Sequence, residues 1–280
     1  MVKVFDKTAC VLGEGPLWHP IKECLFWFDI LEKRLFQSTG DGHVSWVFNE
    51  NVSAAGWVDG DHLLMASETA LSLFDIRNGK SELLVALEEG NPGTRSNDGR
   101  ADPFGGFWIG TMGKGAKQDA GAIYRFYKGE LRKLVDNISV SNSICFSPDG
   151  TRAFFSDTTE QTIKTWFLDD KDGWPVGSWE VFIDLRTDNL FPDGAVVDSE
   201  GNLWNAQWVA SRVTRYSPQG VYMDNINFPV SQITCPAFGG SDLKTLFVTS
   251  AAINLKEEMG GQTFRISTDF KGQKENRVIL

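Results

Sequence analysis

Four oxygen-bearing side chains occupy equivalent places in a repeated sequence pattern. Glu14, Asn97, Asn142 and Asp193 each lie five residues before a turn that leads into an apolar, aromatic-rich segment. Carboxylate and carboxamide oxygens are hard ligands, which suit Ca²⁺, Mg²⁺ or Mn²⁺ better than a thiolate-seeking ion. Zn²⁺ also accepts carboxylate oxygen and stays among the candidates. The pattern therefore predicts a site for one divalent cation, with Ca²⁺ as the first choice.

The same residues also have a purely structural interpretation, because Asn and Asp often bond backbone groups in turns. A fifth copy of the pattern offers the hydroxyl of Thr234 at this offset, whereas the second copy offers only Val52 or Ser53. Two carboxylates buried side by side would repel each other, and one would take up a proton. A cation between Glu14 and Asp193 removes that repulsion, which favours the metal interpretation.

The elements that must position these residues are repeated strands. Six copies of the turn-and-strand pattern start at residues 19, 57, 102, 147, 198 and 239. In most copies Gly, Asp, Asn or Pro forms the turn, and Leu, Phe and Trp continue the strand. A period of about 40 residues is typical of one four-stranded propeller blade. The repeat predicts an all-β, six-bladed β-propeller whose inner strands converge on a central channel.

The two terminal regions are predicted to share one blade. Strand-like segments at 2–5 and 8–11 precede the first copy, and similar segments at 262–266 and 277–280 follow the last. No linker, low-complexity stretch or shift in composition divides the chain. We therefore expect residues 1–280 to form a single domain.

Composition excludes several classes of partner. The chain has 27 Lys and Arg against 37 Asp and Glu, and its net charge of −10 would repel nucleic acid and anionic membranes. No secretion signal and no apolar run of about 20 residues occurs, so a cytoplasmic protein without a membrane partner is expected. The four cysteines lie far apart and are expected to be buried free thiols. No G-x-S-x-G motif occurs, which disfavours a serine nucleophile.

Several motifs resemble the gluconolactonase and regucalcin family, in order along nearly the whole chain. They are Leu12-Gly-Glu14-Gly-Pro16, Arg95-Ser-Asn97-Asp98-Gly99, Val140-Ser-Asn142 and Pro192-Asp193-Gly194. The resemblance implies a six-bladed propeller with a divalent cation bound by Glu14, Asn142 and Asp193. It also implies that Arg95 and Asn97 hydrogen-bond substrate hydroxyls or the lactone oxygen.

The activity implied by this resemblance is metal-assisted hydrolysis of a small sugar lactone to the open-chain sugar acid. Asp193 is the candidate general base, since a carboxylate near the metal can take the proton of the attacking water. Two alternatives stay open. One is a hydrolase of other esters on the same scaffold, and the other is a calcium-binding regulatory or interaction propeller without physiological catalysis.

Two departures from the family pattern bear on the site. Ser143 follows Asn142 where relatives usually have Gly, so the local turn is expected to differ. Lys114 lies in the segment after Gly110-Thr-Met112 where some relatives have an acidic substrate contact, and it is expected to favour a lactone that bears a carboxylate. Trp208 is assigned to blade packing, because Trp in a propeller more often packs between strands than lines a site.

Overall fold

Twenty-four β-strands form six antiparallel, four-stranded sheets arranged as a propeller. The structure, a computed structural model, describes all residues from 1 to 280. From the innermost strand outward, blade 1 comprises β2 (Gly13–His19), β3 (Cys24–Asp29), β4 (Arg34–Thr39) and β5 (Gly42–Val47), and blade 2 comprises β6 (Val52–Trp57), β7 (His62–Ser67), β8 (Ala70–Asp75) and β9 (Lys80–Ala86). Blade 3 comprises β10 (Thr94–Ala101), β11 (Phe107–Gly113), β12 (Gly121–Tyr127) and β13 (Glu130–Ile138), and blade 4 comprises β14 (Ser141–Phe146), β15 (Arg152–Asp157), β16 (Thr162–Leu168) and β17 (Pro175–Asp184). Blade 5 comprises β18 (Phe191–Val197), β19 (Leu203–Trp208), β20 (Arg212–Tyr216) and β21 (Tyr222–Asn227), and blade 6 comprises β22 (Ile233–Gly239), β23 (Thr245–Ser250), β24 (Thr263–Ser267) and β1 (Lys3–Asp6). The predicted six-bladed fold is confirmed.

Blade 6 closes the ring by combining both ends of the chain. The N-terminal strand β1 pairs with β24, with Lys3 opposite Arg265 and Val4 opposite Phe264. The prediction of a shared blade is thus confirmed. The segments at 8–11 and 277–280 lie outside the strands, because β1 already occupies the outer edge of this sheet.

Every innermost strand contains a register irregularity near its start. The shifts fall between Glu14 and Leu17, Val52 and Ala54, Ser96 and Gly99, Asn142 and Cys145, Pro192 and Ala195, and Ile233 and Pro236. A bulge bends its strand and redirects the side chains beside it. The residues at the repeated offset therefore fall where the strand departs from regular pairing, at the channel wall.

The blades are held together by apolar side chains between their faces. Trp27, Trp108 and Trp204 occupy the second strands of blades 1, 3 and 5 and are fully buried or nearly so. Large aromatic side chains contribute much of the buried apolar area in such a core. The single helical element is a short 3₁₀ turn at Thr158–Glu160. None of the helical structure has the length and apolar character needed to cross a membrane.

The C-terminal segment 270–280 covers the end of the channel where the inner strands finish. Gln273 Nε2 donates to the carbonyl oxygens of Phe146 and Val197, the last residues of β14 and β18. Arg100 in β10 forms an ion pair with Glu275 over 2.5 Å, and both side chains are at least nine-tenths buried. This segment leaves the opposite end of the channel, where the inner strands begin, as the place for a pocket.

Candidate metal centre and substrate pocket

A cavity of about 620 Å³ opens where the inner strands begin. All five residues that the sequence assigned to a site line this cavity: Glu14, Arg95, Asn97, Asn142 and Asp193. They come from the innermost strands of blades 1, 3, 4 and 5. The fold therefore brings together side chains that are up to 179 residues apart in sequence, from Glu14 to Asp193.

The two carboxylates of this set lack a positively charged partner. Glu14 and Asp193 are buried, and neither takes part in an ion pair. Burial, and then the nearby charge of Asp98, raise the pKa of Glu14 to about 8. Burial, and then the charge of Glu14, hold the pKa of Asp193 well above its usual range. Such a pair needs either protons or a cation.

Hydrogen bonds fix the amide of Asn142 beside these carboxylates. Its Nδ2 donates to Thr158 Oγ1 over 2.8 Å, and the Thr158 hydroxyl donates to the carbonyl oxygen of Pro192 over 2.7 Å. Asn97 Nδ2 donates to Asn142 Oδ1 over 3.1 Å. With its nitrogen engaged by Thr158 and its oxygen bonded by Asn97, Asn142 lines the cavity in a fixed orientation, and its oxygen keeps a second lone pair. Thr158 lies in the 3₁₀ turn, outside the repeated offset, so the sequence pattern did not reveal it.

Arg95 supplies a buried positive charge within the same group of cavity-lining residues, which we call the cavity floor: Glu14, Arg95, Asn97, Asn142 and Asp193. One guanidinium nitrogen, Nη1, donates to Asn97 Oδ1 over 2.7 Å and to the carbonyl oxygen of Ser96 over 2.8 Å. Burial lowers the pKa of Arg95 to about 10, although the charge of Glu14 opposes this shift. The guanidinium remains a cation at neutral pH and can donate hydrogen bonds to oxygens of a bound ligand.

Other residues at or near the repeated offset connect blades and do not line the cavity. The Thr234 hydroxyl donates to the carbonyl oxygen of Gly13 over 2.6 Å, and Ser53 Oγ donates to Ser96 Oγ over 2.8 Å. Asp98 Oδ2 accepts the backbone N–H of Ile144 over 2.7 Å. The structural interpretation therefore applies to these three polar residues.

The cavity walls are largely apolar, and one wall residue had been assigned elsewhere. Leu12, Leu31, Met112, Val140 and Ile253 line the cavity. Trp208 lines it as well, so this residue is not confined to blade packing. The residue ends β19 opposite Phe191, two positions before Asp193, and this strand register was the signal that sequence reasoning missed.

The donor set fits a hard divalent cation. Glu14 and Asp193 together carry the charge that balances one dication, and Asn142 adds a neutral oxygen. Nowhere in the chain do three His, Cys, Asp or Glu side chains gather as a metal-binding group. The candidate centre is therefore a mixed carboxylate and carboxamide site.

Comparison with known proteins gives the same family as the motifs. Residues 12–252 match the family described as the SMP-30/Gluconolactonase/LRE-like region. The L-arabinolactonase of Azospirillum brasilense is 36% identical, over 90% of this chain and 84% of that protein. The 6-deoxy-6-sulfogluconolactonase of Pseudomonas putida is 35% identical, over 92% and 89%.

One solved structure is similar over nearly its full length. The calcium-binding protein regucalcin from Agrobacterium tumefaciens superposes with a TM-score of 0.96 at 40% identity, covering 99% of this chain and 97% of that one. The resemblance inferred from the motifs is confirmed. The chain belongs to the SMP-30/gluconolactonase family.

Proposed function

We propose that this chain hydrolyses a small sugar lactone to the open-chain sugar acid, using one divalent cation held by Glu14, Asn142 and Asp193. Ca²⁺ fits the oxygen ligands best, while Mg²⁺, Mn²⁺ and Zn²⁺ are alternatives for the test. The names of the relatives support the reaction class, since one acts on an arabinolactone and another on a sulfogluconolactone.

One observation carries the metal-dependent part of this proposal. Glu14 and Asp193 are both buried on one cavity floor, and no Lys, Arg or His pairs with either. Two ionised carboxylates in that position are costly unless a positive charge lies between them. A dication held by Glu14, Asn142 and Asp193 would supply the charge that polarises the lactone carbonyl and stabilises the oxyanion.

Arg95 and Asn97 bind and orient the substrate. The Arg95 guanidinium uses Nη1 to hold Asn97 Oδ1, which leaves its other nitrogen donors for substrate oxygens. Both N–H groups of Asn97 are engaged, by Asn142 Oδ1 and by the carbonyl oxygen of Ser141, so Asn97 meets substrate hydroxyls through the remaining acceptor capacity of its Oδ1. Groups that are fixed before the substrate arrives lose little freedom on binding, which favours the reacting geometry.

Asp193 serves as the general base. Its carboxylate accepts a proton as water forms a bond to the lactone carbonyl carbon, and it returns a proton to the ring oxygen as the acyl–oxygen bond breaks. The product is a hydroxy acid, and the carboxylate ends in its starting state. The apolar side chains of Met112 and Ile253 line the same cavity.

Acid release from a panel of aldonolactones tests the proposal. Hydrolysis should stop with a chelator and return when Ca²⁺, Mg²⁺, Mn²⁺ or Zn²⁺ is added back singly. Glu14→Gln should lose cation binding by calorimetry together with turnover. Turnover that persists at full rate in chelator contradicts the metal-dependent mechanism, whereas turnover confined to aromatic or phosphate esters supports a different hydrolase on this scaffold.

A second candidate is a calcium-binding regulatory protein. The similarity to a structure described as the calcium-binding protein regucalcin favours it. In that case Ca²⁺ should bind through Glu14 and Asp193 while no member of the lactone panel is hydrolysed above the buffer rate. Calorimetry and acid release on the same protein preparation separate the two functions.

A further inference from the structure

A single ion pair joins blades 2 and 3 at the edge of the cavity. Lys114 lines the cavity, and its Nζ donates to Glu68 Oε2 over 3.0 Å. The Lys114 side chain is 43% exposed and that of Glu68 is 16% exposed. Glu68 follows β7 in blade 2, and Lys114 follows β11 in blade 3. Lys114, the more exposed of the two positive charges in the cavity lining, thus has a carboxylate partner.

The charge of Glu68 also acts on the Arg95 guanidinium at the cavity floor. Burial lowers the pKa of Arg95, and the negative charges of Glu14, Glu68 and Asp193 oppose this shift. The backbone N–H of Glu68 donates to the carbonyl oxygen of Asn51, a residue that lines the cavity. Glu68 therefore lies behind the cavity wall, with Lys114 on one side and Arg95 within the range of its charge.

The loop that carries Lys114 is bonded to the segment just before β10. The backbone N–H of Lys114 donates to the carbonyl oxygen of Gly93 over 2.8 Å. The charge of Lys114 lies in the cavity lining beside Glu68, and this partner decides how strongly Lys114 attracts an anionic ligand.

We propose that Glu68 determines the charge selectivity of the cavity by neutralising Lys114, so that the chain favours uncharged lactones over lactones with an anionic distal group. This inference rests on the proposed function, and it reverses the expectation from the sequence that Lys114 favours a lactone bearing a carboxylate, because Lys114 is paired with Glu68. An anionic group at the outer end of the substrate must displace Glu68 from Lys114 and is repelled by that carboxylate. A neutral hydroxymethyl group meets neither cost.

The experiment compares two lactones of the same ring size, a six-carbon aldonolactone and its counterpart with a carboxylate at the terminal carbon. Glu68→Gln should raise the ratio of kcat/KM for the anionic over the neutral lactone by about tenfold, because it leaves Lys114 without a carboxylate partner. Lys114→Gln should lower the ratio. The double variant should return it to within about threefold of the wild-type value, since both charges are gone.

Asp184→Asn is the matched control, because it also removes one negative charge but from an exposed pair with Arg186 on blade 4. It should leave the ratio unchanged. A ratio in Glu68→Gln within twofold of the wild type, or an equal rise in Asp184→Asn, overturns the inference. If the wild type hydrolyses neither lactone, the ratio of the calorimetric Kd values of the two product acids is compared between the same variants. Failure of the proposed function is thus distinguished from failure of this inference.

Discussion

The hydroxyl of Ser143 donates a hydrogen bond of 2.6 Å to the backbone carbonyl oxygen of Asp193, across the boundary between blades 4 and 5. Ser143 is fully buried and has a left-handed backbone conformation with φ of 60°. Its oxygen also accepts from Ser156 Oγ over 3.0 Å. The family resemblance led us to expect Gly at this position, and the Ser143 side chain adds a contact that Gly would lack.

Replacement of Ser143 should weaken cation binding. In Ser143→Ala the backbone of Asp193 loses one hydrogen bond, and we expect the Ca²⁺ Kd to rise about tenfold, the scale usual for residues that support metal ligands. Ser143→Gly should give the same loss while relieving the cost of a left-handed non-Gly residue. Calorimetric titration of both variants measures the effect.

The comparison of the two Ser143 variants separates the effect of the hydroxyl on the position of Asp193 from its effect on the stability of the fold. Thermal unfolding should find Ser143→Gly at least as stable as Ser143→Ala, because Gly adopts positive φ without strain. Wild-type Ca²⁺ affinity in Ser143→Gly would mean that the hydroxyl has no part in holding Asp193.

The metal-free protein should lose stability as the pH rises. The pKa of Glu14 is raised to about 8 when no cation is present, above its value of 4.5 in an exposed environment. Between these two values the folded state keeps a proton that the unfolded state releases, so the free energy of unfolding falls with increasing pH until about pH 8. Tm measured in chelator from pH 5 to pH 8 should decline by several degrees.

Added Ca²⁺ should reverse this decline and raise Tm most at the high end of the pH range, because cation binding there displaces fewer protons. Glu14→Gln serves as the reference, since it removes the carboxylate at position 14 and with it the charge that raises the pKa of Asp193, and it should show a flatter profile in chelator. A wild-type profile that rises between pH 5 and pH 8 in chelator would contradict the pairing of buried carboxylates.

The sequence predicted the fold and the floor of the site because both depend on the repeat. Each blade reuses one turn-and-strand pattern, so a fixed offset selected Glu14, Asn97, Asn142 and Asp193 before any geometry was known, and the family resemblance narrowed the proposed ligands to three of them. The residues at that offset lie at the bulge near the start of each inner strand, which is why their side chains are found at the channel wall.

The residues that sequence reasoning missed act through contacts between blades. Thr158 orients Asn142 from a 3₁₀ turn, and Glu68 reaches Lys114 from the neighbouring blade. Trp208 was assigned to packing because Trp in a propeller more often packs between strands, and its place in the repeat does not show that this strand end meets the cavity. Such pairings depend on how neighbouring blades and strands align, and no period in the sequence encodes that alignment.

Arg95→Lys should separate substrate binding from metal binding. Lysine keeps the positive charge, but it cannot hold Asn97 Oδ1 and bond a substrate oxygen with the planar geometry of a guanidinium. We expect kcat/KM on a neutral aldonolactone to fall about 10- to 100-fold, the loss typical of one charge-assisted hydrogen bond. Saturation kinetics and calorimetry on the same variant provide the measurement.

The Ca²⁺ affinity of Arg95→Lys should stay within about threefold of the wild type, since Arg95 bonds Asn97 and not a proposed ligand. A parallel loss of Ca²⁺ affinity and turnover would instead assign Arg95 to the support of Asn142 through Asn97. Asn97→Ala then provides a further comparison, because it removes the donor to Asn142 Oδ1 directly.

Glu275→Gln should destabilise the closed end of the channel. The Arg100 guanidinium is paired with Glu275 over 2.5 Å, and the two side chains are only 10% and 7% exposed. Removal of one partner from a buried ion pair leaves the other charge uncompensated and costs about 3–5 kcal/mol. For a chain of this size the loss should lower Tm by about 6–20 °C.

Glu130→Gln is the control for the loss of Glu275, because Glu130 pairs with Arg132 where the side chains are 59% and 49% exposed. An exposed pair contributes about 0.2–1 kcal/mol, so this variant should unfold near the wild-type Tm. If residues 1–280 form one domain, differential scanning calorimetry should record one transition for the wild type and one shifted transition for Glu275→Gln. Equal Tm values for the two variants would mean that the ion pair between Arg100 and Glu275 adds no more stability than an exposed pair, and that the blades draw their stability from the apolar contacts between them.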